Sequence, residues 1–160
     1  MKIELNQPEE AFATFRIAGD KLVPGAITKI LGIVPTRSHS KGEQYRDGPN
    51  GPPVVGRTGV WFVSSDQFLD RHYPLVFHIQ LAMALLGVFN QKKLSMVRSR
   101  VNEDALHIVL TCYWHGPTGA HTPEIPKDIF DMIELIPAKL EIDFDADQEP
   151  PDNEPVFVKA

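Results

Sequence analysis

Arg37, His39 and Lys41 stand at alternate positions just before Gly42. Three cationic or potentially cationic groups beside exposed backbone N–H groups could contact an anion or a carboxylate. Tyr113 and Trp114 are the aromatics that could complete such a site, in a small-molecule or anion-binding protein or an enzyme. The plainer reading of residues 37–41 is a solvated surface loop, because such groups are common in loops. Cys112, His115 and His121 are residue types that bind zinc. Their spacing matches no standard structural set and a fourth ligand is not evident. Ser64 and Ser65 lie outside the Gly-x-Ser-x-Gly elbow pattern. Glu141, Asp143 and Asp145 lie two apart and describe a solvated strand face that discourages edge pairing. No nucleophile–base–orienter set can be assembled. The sequence therefore assigns no catalytic residue, no metal site and no cofactor.

The elements that must hold these groups start with Ala13–Arg37. Ala13, Phe15 and Ile17 alternate with Thr14, Arg16 and Ala18, as in a strand with one buried face. Gly19-Asp20 supplies a turn. Pro24 suits the first turn of a helix, where its missing N–H costs nothing. Ile27, Ile30 and Leu31 make an apolar stripe, Gly32 is the expected stop and Pro35 prevents continuation. Residues 38–57 are dense in Gly and Pro and read as a loop.

Val60–Val63 is a continuous apolar run, expected to be a central strand covered on both faces, with Trp61 as a core anchor. Ser64 and Gln67 have capping-box spacing. Leu75–Phe89 is apolar almost all round except at His78 and Gln80, and is too short for a membrane span. Gly87 is placed to bend it or end its first part. Leu106–Trp114 alternates as a strand, with Cys112 on the apolar side. Lys127–Ile136 reads as the last helix, and Lys139–Asp145 as a strand with Leu140, Ile142 and Phe144 inward. Residues 1–145 form one domain, and 146–160 read as an acidic, Pro-rich disordered tail.

The pattern A-T-F-R-I-x-G-x-x-L-x-P-x-x-I-T-x-x-L-G-I-x-P-T-R, then H-x-K-G-E and later T-G-x-W with Ser-Ser, resembles a bacterial domain family of unknown function. The resemblance covers about residues 11–145. It implies a long amphipathic helix, a strand ending in an aromatic pair, and a last helix and strand. It implies no activity, so no catalytic residue is carried over.

A chain of 160 residues is long enough for one real core. Its 16 basic and 21 acidic residues give a net charge of −5, without the basic footprint of a nucleic-acid binder. No apolar segment of a secretory signal is visible at the start, and the single Cys112 fits a reducing cytoplasm. The element order βαβαβαβ alone would favour a parallel doubly wound sheet. The half-polar strands argue against double coverage. The expected fold is therefore α+β: a two-layer sandwich with a four-stranded, mixed or mostly antiparallel sheet and helices mainly on one face. Arg16, His107, Thr111, Glu141 and Asp143 should lie on the exposed face. The favoured function is a non-enzymatic binding protein without nucleic-acid or membrane contact. Its partner would be a toxin-like protein, as for an immunity protein, or a second copy. The second copy would meet Leu75–Phe89 in a homodimer, with Val76 and Met83 on the outer side. The alternative is the ligand site at residues 37–41 described above.

Overall fold

The computed structural model describes residues 8–146. Strand β1 (Glu10–Gly19) is the middle of a five-stranded sheet. On one side it pairs antiparallel with β5 (Gly59–Ser64), which carries the short edge strand β2 (Arg37–His39). On the other side it pairs antiparallel with β6 (His107–Gly116), which pairs parallel with the second edge strand, β7 (Ala138–Ala146). A separate hairpin, β3 (Gln44–Arg46) and β4 (Pro53–Val55), lies in the segment after β2.

Register explains the layering. Ala11, Ala13, Phe15 and Ile17 of β1 share a face with Trp61 and Val63 of β5 and with Ile108, Leu110, Cys112 and Trp114 of β6, and all are buried. The helices α1 (Pro24–Leu31), α2 (Leu75–Leu85), α3 (Gln91–Glu103) and α4 (Lys127–Ile133) supply the rest of this core. They do so through Ile27 and Leu31, through Ile79, Ala82 and Met83, through Leu94 and Val97, and through Ile129 and Ile133. Gly32 ends α1 at φ 70°, the left-handed conformation glycine adopts without penalty, and its N–H donates to the Thr28 carbonyl. Lys93 of α3 donates to the Leu31 carbonyl, a second cap that ties the two helices. The Trp61 indole N–H donates to Thr28 Oγ1 at 3.0 Å and fixes α1 on β5.

The expected α+β sandwich is present, with five strands in the sheet instead of four. Arg37–His39 forms the additional edge strand within a segment read as loop, because three residues are too few to show a period. The run Val60–Val63 is covered on one face only, and Val60 and Phe62 are half-buried on the other. The long helix is two helices: Gly87, at φ 89°, breaks it, and Asn90 caps α3 by accepting from Lys93 N–H. Ser64 makes no capping bond. Ile142 shares the helix-side face with Leu140 and Phe144 but is 52% exposed and not packed inside, because β7 is the edge of the sheet. Met83 is fully buried in its own chain, so it is not an outer residue of α2. Across Leu75–Phe89, the exposed side chains are Phe77, Ala84 and Phe89. The tail reading lies outside the described residues, except for Ala146, which ends β7.

Leu110 is fully buried at mid-strand, so Leu110→Ala should cost about 2–5 kcal/mol in a denaturant melt. A loss below about 1 kcal/mol would show that this face is not the core.

Candidate functional site

The sheet topology separates the residues proposed for ligand binding. Arg37 and His39 sit on β2 and point to the face away from the helices, opposite Phe62 and Val60. Arg37 stacks over the Phe62 ring at 5.0 Å and pairs with Asp47 at 3.0 Å. His39 stacks on Tyr45 of the hairpin, with ring centroids 4.1 Å apart. Lys41 follows β2 and bonds Asp20 at 3.1 Å, which holds the Asp20 carboxyl below its ordinary value. Tyr113 lies on β6, three strand spacings across the sheet, roughly 14 Å at the usual separation, and four residues further along than Val109, which is level with Arg37. Trp114 follows it on the opposite face, buried in the core. Thus Arg37 and His39 share one edge with Lys41 nearby, while Tyr113 and Trp114 join neither them nor each other.

The surface that the fold does assemble is the face free of helices. Arg16, His107, Glu141 and Asp143 are exposed on it and Thr111 is half-buried, in agreement with the sequence pattern. Between them lie half-buried Phe12, Phe62, Val109 and Tyr113. Phe12 and Tyr113 are register partners whose rings stack at 4.5 Å. Arg71 covers the Phe12 ring at 4.4 Å and donates to Asp66 at 2.7 Å. Burial opposes the charge on Asp66, but the Ser64 side chain and then the Arg71 hydrogen bond and charge outweigh it and hold the carboxyl below its ordinary value. Across the face the charge changes sign. Arg37 and Arg16 lie toward β2, while Glu141, Asp143 and Asp145 line β7.

A second polar group was hidden in the sequence. His78 is fully buried in α2, and its Nδ1 lies 2.7 Å from Ser65 Oγ. Its Nε2 lies 3.0 Å from the Asp70 carbonyl. A carbonyl only accepts, so Nε2 carries the proton and Nδ1 accepts from the Ser65 hydroxyl. Ser65 Oγ in turn accepts from Ala13 N–H at 2.9 Å. A serine bonded to an imidazole resembles a catalytic pair, but both side chains are sealed in the core, where no substrate can reach them. Burial pushes the His78 imidazole below its ordinary value, against the Asp70 carbonyl and the carboxylates of Asp66 and Asp70. The available signal was His78 itself, since a histidine within an apolar helix needs hydrogen-bond partners.

Cys112 faces the core, and burial pushes its thiol up to about 12. His115 lies toward the opposite face, 3.0 Å from Glu9. Among the described residues no three metal-ligating side chains gather. A cleft of about 900 Å³ opens between α2, residues 121–126 and the start of α4. Leu75, Phe77, Gln80, Trp114, His121 and Ile125 are among its lining residues.

Fold and surface together define an α+β domain with one helix-covered sheet face and one open face. The model of a family described as domain of unknown function (DUF4279) matches residues 9–147, and the chain belongs to that family. No curated protein and no solved structure matches it. No helix among the described residues is long and apolar enough to cross a membrane.

Unfolded His78 titrates near its ordinary 6.5, and the folded value is lower. Between the two, the unfolded chain binds the extra proton, so this group's contribution to stability falls as pH drops through 6.5 toward the folded value. Denaturant melts from about pH 7 to about pH 5 should show this slope, and His78→Gln should flatten it. An equal slope in the variant would assign it to other groups. Because a buried protonated thiol is no zinc ligand, a chelator should leave the melting temperature unchanged. Stoichiometric zinc that is lost in His115→Ala would contradict this.

Proposed function

We propose that this protein is a non-enzymatic binding protein that recognises another protein through its open sheet face, in the manner of an immunity protein holding a toxin. The observation that carries this reading is the helix-free face. Half-buried Phe12, Phe62, Val109 and Tyr113 lie there among exposed Arg16, His107, Glu141 and Asp143. Aromatic area within a charged surround is the composition of protein interfaces. The Ser65–His78 pair is closed to substrate, which weighs against hydrolytic chemistry at that pair.

A small-molecule site is the second reading, favoured by the cleft between α2 and α4 that reaches Trp114. Its volume lies within the usual range for ligand pockets. It does not include Arg37, His39 or Lys41, so it differs from the site expected at that loop.

Tagged wild-type protein should co-purify with one protein in stoichiometric amount from extract of its source cells. Arg16→Glu/His107→Glu should lose that protein while keeping its melting temperature, since both positions are exposed. Equal capture by the variant, or no stoichiometric capture by the wild type, would overturn the reading.

A further inference from the structure

The two edges of the sheet are built differently. The β2 edge has three residues, and the hairpin after it contacts Arg37 and His39 through Asp47 and Tyr45. It is thus short and shielded, as sheet edges commonly are. The β7 edge has nine residues in unbroken register with β6, from Ile108↔Ala138 to Gly116↔Ala146. It contains no proline and no bulge, and among the described residues no strand pairs with its outer side. Every second backbone unit along such a strand presents its N–H and C=O outward. Ile142 is half-exposed on the helix side of β7, between half-buried Leu140 and Phe144. On the other side Glu141, Asp143 and Asp145 are exposed, with Lys139 paired to Glu141 at 3.6 Å.

From this edge we infer that β7 is a docking strand for an extended segment of another protein in which basic and apolar residues alternate. This rests on the protein-binding reading and names its partner chemistry. The segment would add a sixth strand by backbone pairing. Its basic side chains would lie opposite Glu141, Asp143 and Asp145, and its apolar ones beside Leu140, Ile142 and Phe144. Carboxylates on one side of the strand repel an acidic segment and attract a basic one. A second copy fits less well. Antiparallel pairing of two whole β7 strands, with Ala138 opposite Ala146, puts Glu141 opposite Asp143 twice and Lys139 opposite Asp145 twice. Repulsion and attraction there offset each other, whereas a basic segment meets Glu141, Asp143 and Asp145 with attraction alone. The incoming strand would extend the sheet whose open face is the proposed recognition surface, so edge and face would engage one partner.

The test uses synthetic peptides as long as β7, one alternating lysine with valine and one alternating glutamate with valine. The lysine peptide should bind the intact protein at low salt and protect amides of residues 138–146 from hydrogen exchange. Glu141→Lys/Asp143→Lys, at two exposed positions, should weaken the lysine peptide about ten-fold and let the glutamate peptide bind. A gain of binding cannot come from a variant that fails to fold. Equal affinity for both peptides, protection elsewhere, or a charge reversal without effect would overturn the inference. So would a wild type that self-associates through β7 and excludes the peptide. If the lysine peptide fails while a protein is still captured through Arg16 and His107, the edge assignment falls and the binding function stands. If both fail, both fall.

Discussion

A buried imidazole fixes how the helical layer meets the sheet. His78 is the one titratable side chain that α2 carries into the core, and it is held from both ring nitrogens. Ser65 completes the chain of bonds to Ala13 N–H, just past the last register pair of β1 with β5, Thr14↔Ser64. There the side chain replaces the ladder bond that β5 can no longer supply. The Arg71 carbonyl does the same for Ala11 N–H at 2.7 Å. An apolar helix alone could rotate or slide on an apolar sheet at little cost. A buried imidazole and a buried amide that must both be satisfied restrict it to one seat.

That seat determines what remains outside. With α2 against β1 and β6, and with α1, α3 and α4 around it, the helices cover a single face. The other face is left to Phe12, Phe62, Val109 and Tyr113 with their charged neighbours. Small side chains at Ala11 and Ala13 suit the covered side, where a helix lies against the central strand. Ring stacking and the Arg37 and Arg71 guanidinium contacts give the open side a partly apolar surface without a helix over it. The protein-binding reading thus depends on a packing decision made in the core.

Much of the architecture was legible in the sequence. Period-two alternation located β1, β6 and β7 and placed Arg16, His107, Thr111, Glu141 and Asp143 on one face, because alternation is a property of the strand itself. Gly32 and Gly87 marked helix ends for the same local reason, a positive φ that other residues avoid. The strand β2 and its hairpin were not legible. Three-residue strands carry too little pattern, and their pairing partners lie far away in sequence.

Side-chain chemistry divided along the same line. By itself the sequence determined the α+β class, the helix-free polar face, the family and the absence of any standard catalytic spacing, since each depends on local pattern or residue order. Strand order was decided only in three dimensions. That order separates Tyr113 from Arg37 and His39, exposes Ile142 at an edge, buries Met83, and joins Ser65 to His78 across thirteen residues of chain. These are contacts between elements whose mutual placement no local pattern encodes, because many arrangements of the same strands and helices satisfy the same periodicity.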